Sequence, residues 1–152
     1  DAPLLILDGH FSYRSHFMSF KGVALWGKLE NADNVSAANR LLSNNLEVLR
    51  TTVAEQAFLA ASEISFNLFS VIMKNEKDRL EPFIRYEFYD TMFNTGDELF
   101  DNPRFEKTIL GVGLNYNIEG SISLKLDFNK RSFGSSDLRP ERSTKFAVGF
   151  NY

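Results

Sequence analysis

The chain has 152 residues and a mass of 17.4 kDa, room for one domain and one modest core. Lys and Arg total 17 against 20 Asp and Glu, a net charge of −3, so the basic footprint of a nucleic-acid binder is missing. With no Cys, disulfides, thiolate nucleophiles and Cys-based metal sites are excluded, and with only His10 and His16 a His-rich metal centre is excluded too.

The longest apolar runs, such as Leu4-Leu5-Ile6-Leu7, are far too short for a bilayer-spanning helix. No secretory leader is visible. A start at Asp1 rather than Met is what a mature, trimmed or fragmentary chain would show.

Along most of its length the sequence repeats with a period of two, the signature of strands with unlike faces. Residues 4–14 set Leu5, Leu7, Phe11 and Tyr13 against Asp8, His10, Ser12 and Arg14. Residues 18–29 are strand-like but ambiguous in phase, because Gly22, Ala24 and Trp26 alternate with Val23, Leu25 and Gly27; Val23, Leu25 and Leu29 are expected to face outward. Residues 30–54 form a long polar connection. Within it Ala38, Leu41, Leu42 and Leu49 fall near helical spacing, which predicts a short helix over Val35 to Leu49, either turned toward a lumen or packed on the loop's own apolar residues. Residues 57–69 set Phe58, Ala60, Ile64, Phe66 and Leu68 against Glu63, Ser65 and Asn67. After a turn at 74–78, residues 79–90 set Leu80, Ile84, Tyr86 and Phe88 against Glu81, Arg85, Glu87 and Tyr89. Residues 108–117 set Leu110, Val112, Leu114 and Tyr116 against Gly111, Gly113, Asn115 and Asn117. The next strand sets Ile122, Leu124, Leu126 and Phe128 against Ser123, Lys125, Asp127 and Asn129, and the last sets Phe146, Val148, Phe150 and Tyr152 against Lys145, Ala147, Gly149 and Asn151.

The connections alternate in length. Those at 15–17, 74–78 and 118–120 are short, and those at 30–54, 91–106 and 132–142 are long. Transmembrane barrels sort their loops by end in this way, with short periplasmic turns and long outer loops. In hydrocarbon each unpaired backbone N–H or C=O costs several kcal/mol, so without a candidate helix a closed antiparallel barrel is the remaining way to span a bilayer. The expected fold is therefore all-β, an antiparallel transmembrane β-barrel, with residues 1–152 belonging to a single barrel domain. The expected lumen wall carries Glu63, Glu81, Arg85, Glu87, Lys125, Asp127, Arg131 and Lys145. Periodicity alone does not say which face is inner: a lipocalin-like soluble barrel would invert the arrangement, and a soluble β-sandwich binding module is compatible with the mean hydropathy of −0.23. Tyr13, Trp26, Tyr86, Phe88, Tyr89, Tyr116, Phe128 and Tyr152 lie near strand ends, where interfacial girdles would sit, although aromatic residues favour strands in any setting.

The terminal strand Thr144-Lys145-Phe146-Ala147-Val148-Gly149-Phe150-Asn151-Tyr152 resembles the closing strand of bacterial outer-membrane proteins, which ends in an aromatic residue, more often Phe. A narrower likeness runs through Arg79-Leu80-Glu81-Pro82-Phe83-Ile84-Arg85-Tyr86-Glu87-Phe88-Tyr89-Asp90, Leu110-Gly111-Val112-Gly113-Leu114-Asn115-Tyr116 and Leu124-Lys125-Leu126-Asp127-Phe128-Asn129-Lys130-Arg131. This succession is similar to the C-terminal strands of the phosphate-selective porin O/P-like family, and the resemblance extends over about residues 17–152, with Lys28-Leu29 and Glu63 fitting loosely.

The resemblance implies a passive diffusion channel for small hydrophilic solutes or ions in the outer membrane of a Gram-negative bacterium, commonly a trimer. It implies outer-membrane lipid as surroundings and recognition of the strand ending at Tyr152 by the barrel-assembly machinery. The seven strands read here and the family's longer chains imply the C-terminal part of a larger barrel; an eighth strand in Leu46–Val53 would instead close a small one. Arg85, Lys125, Arg131 and Lys145 stand among Glu63, Glu81, Glu87 and Asp127, so the family's phosphate selectivity does not carry over simply. The competing reading is a non-conducting structural or anchor barrel that pairs with another envelope protein.

No catalytic, cofactor or metal residue is expected. Asp8 and His10 share a strand face, but an i, i+2 pair alone defines no nucleophile. Asp97, Glu98 and Asp101 could hold a hard cation, yet EF-hand spacing is missing and a solvated acidic loop explains them. Gly111-Val112-Gly113 sits inside a strand rather than before a helix, so it is read as room for a neighbouring side chain over the sheet, not as a phosphate cradle. Glu81, Glu87 and Arg85 on one face suit a salt-bridged patch as well as ion selection.

Overall fold

A computed structural model describes residues 2–46, 52–72, 77–95 and 101–150. Period-two segments pair with their sequence neighbours throughout, giving one antiparallel seven-stranded meander in the order β1 (Leu4–Arg14), β2 (Met18–Leu29), β3 (Gln56–Phe66), β4 (Arg79–Asn94), β5 (Glu106–Ile118), β6 (Ile122–Phe133) and β7 (Glu141–Phe150). Two helices interrupt it, α1 (Ala32–Leu46) between β2 and β3 and α2 (Leu68–Ile72) between β3 and β4. The sheet is open: β1 pairs only with β2 and β7 only with β6. Closure into a barrel is therefore not made by these seven strands. The eighth strand considered for Leu46–Val53 is not formed by Leu46, which ends α1, or by Val53, and residues 47–51 lie outside the described set. None of the helices among the described residues is long and apolar enough to cross a membrane, which leaves strands as the elements to consider.

Residues directly opposite across a ladder share a face, so the register assigns every side chain to one side of the sheet. Arg85 stands opposite Glu63 and Gly111, and Asp127 opposite Gly113 and Lys145. All eight predicted wall residues thus share one face. The other face carries Leu5, Leu7, Phe11, Phe20, Trp26, Phe58, Ile64, Ile84, Leu110, Val112, Leu126, Phe146 and Val148.

Burial runs opposite to that of a water-soluble domain. Ala32, Phe83 and Met92 are the buried hydrophobic residues among those described, whereas Glu81 and Asp127 are only 5% and 4% exposed. On the aliphatic face Phe146 is 69% exposed and Val112 47%. Among the described residues no second sheet or long helix covers that face, while Glu81 and Asp127 are buried on the other.

Four expectations are corrected. Val23, Leu25 and Leu29 do not face outward with the aliphatic set. Lys21 aligns with Glu63 and Trp26 with Phe58, which puts Val23 and Leu25 on the charged face beside Ala61 and Leu59, and Leu29 opposite Leu4 on that same face. Trp26 Nε1 fixes this phase by donating to Gln56 Oε1 at 3.1 Å, and the Ser19 and Ser65 hydroxyls meet across the same ladder at 2.8 Å. Second, β3 ends at Phe66 rather than continuing to residue 69. The buried Asn67 donates its backbone N–H to Phe17 O at 2.7 Å and Ser70 Oγ donates to Asn67 O at 2.8 Å, which starts α2. The connection 67–78 is consequently not a short turn, and the sorting of loops by length is weaker than the sequence suggested. Residues 74–76 of the expected turn lie outside the described set.

Third, the loop helix starts at Ala32 rather than Val35, and of its two expected placements the one turned toward the charged face is not seen, since among the described residues it packs extensively on none of the strands. Its tie is to its own loop: Ser36, fully buried, donates Oγ to Val53 O at 3.1 Å and accepts from Val53 N at 2.9 Å. Fourth, β4 runs on to Asn94 through a bulge opposite Gln56 and Phe58, where Asp90 Oδ1 accepts the Met92 N–H at 2.8 Å. Of the expected girdle, Tyr89 lies on the charged face, opposite Leu59 and under Lys107 Nζ at 5.3 Å; Tyr152 lies outside the described residues. The β5–β6 turn is as short as expected, with Glu119 and Gly120 both at positive φ (47° and 74°).

Candidate functional site: the charged face

Arg85 is the centre of the charged face. Its guanidinium contacts Glu87 Oε1 on its own strand at 2.7 Å, Asp127 Oδ2 on β6 at 3.2 Å and Glu63 Oε2 on β3 at 4.0 Å. Nη2 also donates to Asn129 Oδ1 at 2.9 Å. These bonds pass over β5 to reach β6, and glycine makes that possible. Gly111 stands between Arg85 and Asn129 in the ladder, and a Cβ there would meet Asn129 Oδ1 at 2.7 Å and Arg85 Nε at 3.5 Å. Gly113 does the same for Phe83, whose ring would stand 2.5 Å from an added Cβ. The two glycines are thus places where side chains cross the sheet, as their position in mid-strand implied.

Phe83 in turn supports Lys125, whose Nζ lies 4.5 Å above the ring centroid and 4.0 Å from Glu63 Oε2. Glu63 is thereby shared between two cations, Arg85 and Lys125, whereas Glu87 and Asp127 pair with Arg85. Asp127 Oδ1 and Asn129 Nδ2 are buried without a hydrogen-bond partner among the described residues.

Five of the eight predicted wall residues join this one network: Glu63, Arg85, Glu87, Lys125 and Asp127. Glu81 is held apart, by Arg79 at 2.9 Å, and Arg131 is paired with Glu141 at 2.8 Å. Lys145, opposite Asp127 on the exposed strand β7, enters none of the ion pairs among the described residues. A groove of about 460 Å³ runs between Arg85, Glu87, Tyr89, Asn129, Arg131 and Lys145. Phe83, Asn129, Arg79 and Glu141 were not among the predicted residues, although Phe83 shares parity with Glu81 and Arg85, and Asn129 with Asp127. That parity was the available signal.

The charged face is not charged throughout. Toward β1 it carries Leu4, Ile6, Val23, Leu25 and Leu59, an apolar patch in which Val23 and Leu25 are 40% and 38% exposed. Asp8 and His10 stand on edge strand β1 opposite Leu25 and Val23. Among the described residues no group of His, Cys, Asp and Glu is arranged to hold a metal ion; Asp97 and Glu98 lie outside them. Chemically, the site offers fixed charges of both signs along an open groove. Comparison with family models, with curated proteins and with solved structures finds no match for this chain.

Proposed function

We propose that this chain supplies strands to an outer-membrane, porin-like barrel through which small hydrophilic solutes or ions diffuse passively. One observation carries the reading: ion-paired carboxylates are buried on one face while Val112, Leu110, Phe146 and Phe150 stay uncovered on the other. An uncovered aliphatic face of this extent calls for an apolar surrounding, and a sheet in a bilayer satisfies both faces when the charged one lines water. The free edges of β1 and β7 need strand partners in lipid, which suits the C-terminal strands of a larger barrel in the outer membrane of a Gram-negative bacterium. Flow follows the solute gradient, and the Arg85 network sets the local field at the wall. A homotrimer, and delivery by the barrel-assembly machinery through the strand ending at Tyr152, belong to the same reading.

Single-channel recording of the full-length protein in planar bilayers tests it: stepwise conductance is expected, and a folded, inserted protein without conductance refutes it. The second reading, a plugged anchor barrel bound to another envelope protein, is favoured by the apolar patch of Leu4, Ile6, Val23, Leu25 and Leu59, which asks for a cover a water-filled lumen does not provide. That non-conducting result would select it.

A further inference from the structure

We propose that the end of the sheet where residues 101–105 and 134–140 lie holds a binding groove for a small amphipathic organic anion, a carboxylate on an aromatic or short aliphatic body. The groove encloses about 630 Å³ where the β4–β5 and β6–β7 connections meet. Its frame is built from backbone. Gly134 N–H bridges Pro103 O at 3.0 Å and Glu106 O at 3.1 Å, tying one connection to the other. Asn102 Oδ1 and O accept from Arg104 N at 3.1 Å and Phe105 N at 2.9 Å, and Ser135 O accepts from Leu138 N at 3.2 Å.

Two chemistries meet on the lining. Arg104, Lys107 and Arg139 contribute cations, and Phe105, Phe133 and Leu138 contribute apolar surface. The lining's one carboxylate, Glu141, is already paired with Arg131 at 2.8 Å. None of the ion pairs among the described residues uses Arg104, Lys107 or Arg139. Lys107 instead has its ammonium over the Tyr89 ring at 5.3 Å.

An inorganic anion would answer the guanidinium groups and leave the two phenylalanines wet. A neutral hydrocarbon would desolvate three cations with nothing in return. A molecule carrying both parts satisfies both, and guanidinium groups take carboxylates with two parallel hydrogen bonds. Lys107 and Phe133 are cross-strand partners on the charged face, so the groove opens away from the aliphatic face, and a bilayer acyl chain is not the source of the apolar part. Every lining residue named belongs to this chain, in two connections and the strand ends beside them, so binding is independent of whether the barrel conducts.

Equilibrium dialysis of labelled 3-phenylpropionate against the full-length protein in non-ionic detergent, with protein-free micelles as the blank, reads this directly. Saturable binding is expected, with propionate and 3-phenylpropanol each weaker by about tenfold or more. Combining Arg104→Gln with Arg139→Gln, both at exposed loop positions, is expected to lower phenylpropionate affinity about tenfold while leaving far-ultraviolet circular dichroism unchanged. The groove is refuted by absence of saturable binding, by equal binding of propionate or phenylpropanol, or by wild-type affinity in the double variant. A protein that conducts but binds nothing refutes the groove alone; one that binds but does not conduct refutes the channel alone.

Discussion

Val112→Arg asks what medium the aliphatic face touches. Val112 lies in mid-strand on the interior strand β5, opposite Ile84 and Phe128, and the three are 47%, 56% and 47% exposed. The next partners outward are Ile64 and Thr144, neither of which carries a carboxylate to pair with a guanidinium. If the face meets lipid, a cation there costs about 2–4 kcal/mol at the bilayer midplane. If it meets water, an exposed strand position tolerates the change within about 0.5 kcal/mol, because the arginine simply extends into solvent. The two media therefore differ by a factor of roughly 10 or more in the folding equilibrium. Urea unfolding of the full-length protein in lipid vesicles, followed by Trp26 fluorescence, measures it. An unchanged midpoint and slope in vesicles would refute the lipid assignment, and with it the porin-like reading.

Arg85→Ala leaves Glu63 with Lys125 and removes the cation that pairs with Glu87 and Asp127, and a destabilisation of about 3 kcal/mol is expected in the same unfolding assay. In a conducting barrel that substitution shifts the reversal potential in a KCl gradient toward cation preference, because the wall loses its central positive charge. Gly113→Val drives a branched side chain into the Phe83 ring and the Leu126 carbonyl; a loss of about 2 kcal/mol or more is expected, and an unchanged midpoint would show that the ring can move aside. Ser36→Ala removes both hydrogen bonds to Val53, and faster amide exchange at Val53 with a loss of about 1 kcal/mol is expected, without change in strand content.

Much of the fold was legible because side-chain parity along a strand is a property of sequence order. Ile84 and Arg85, or Leu126 and Asp127, must point to opposite faces whatever their strands pair with, so five strands and the separation of charged from aliphatic residues within each followed from alternation, while the register joined the eight charged residues on one face. The glycine pair at 111 and 113 was legible for the same reason, since a strand interior without side chains has space above it. Where alternation lost contrast, sequence reading lost its grip. Residues 22–27 are apolar or small on both faces, and the phase of their strand was settled by Lys21 meeting Glu63 and by Trp26 meeting Gln56. Asn67 and Ser70 stop β3 through bonds to Phe17 and to the Asn67 carbonyl that no local pattern announces.

Sequence order by itself determined the two unlike faces, the antiparallel succession and the short turn at Glu119 and Gly120. Tertiary structure alone decided that Arg85 reaches Asp127 and Asn129 across an intervening strand, that Phe83 carries Lys125, and that two connections close a cationic, phenylalanine-lined groove. The physical reason is distance along the chain. Alternation is imposed on each residue by its own backbone, whereas a contact between Arg85 and Asp127 depends on the register of two separate ladders, and register is chosen by the sum of all the pairings.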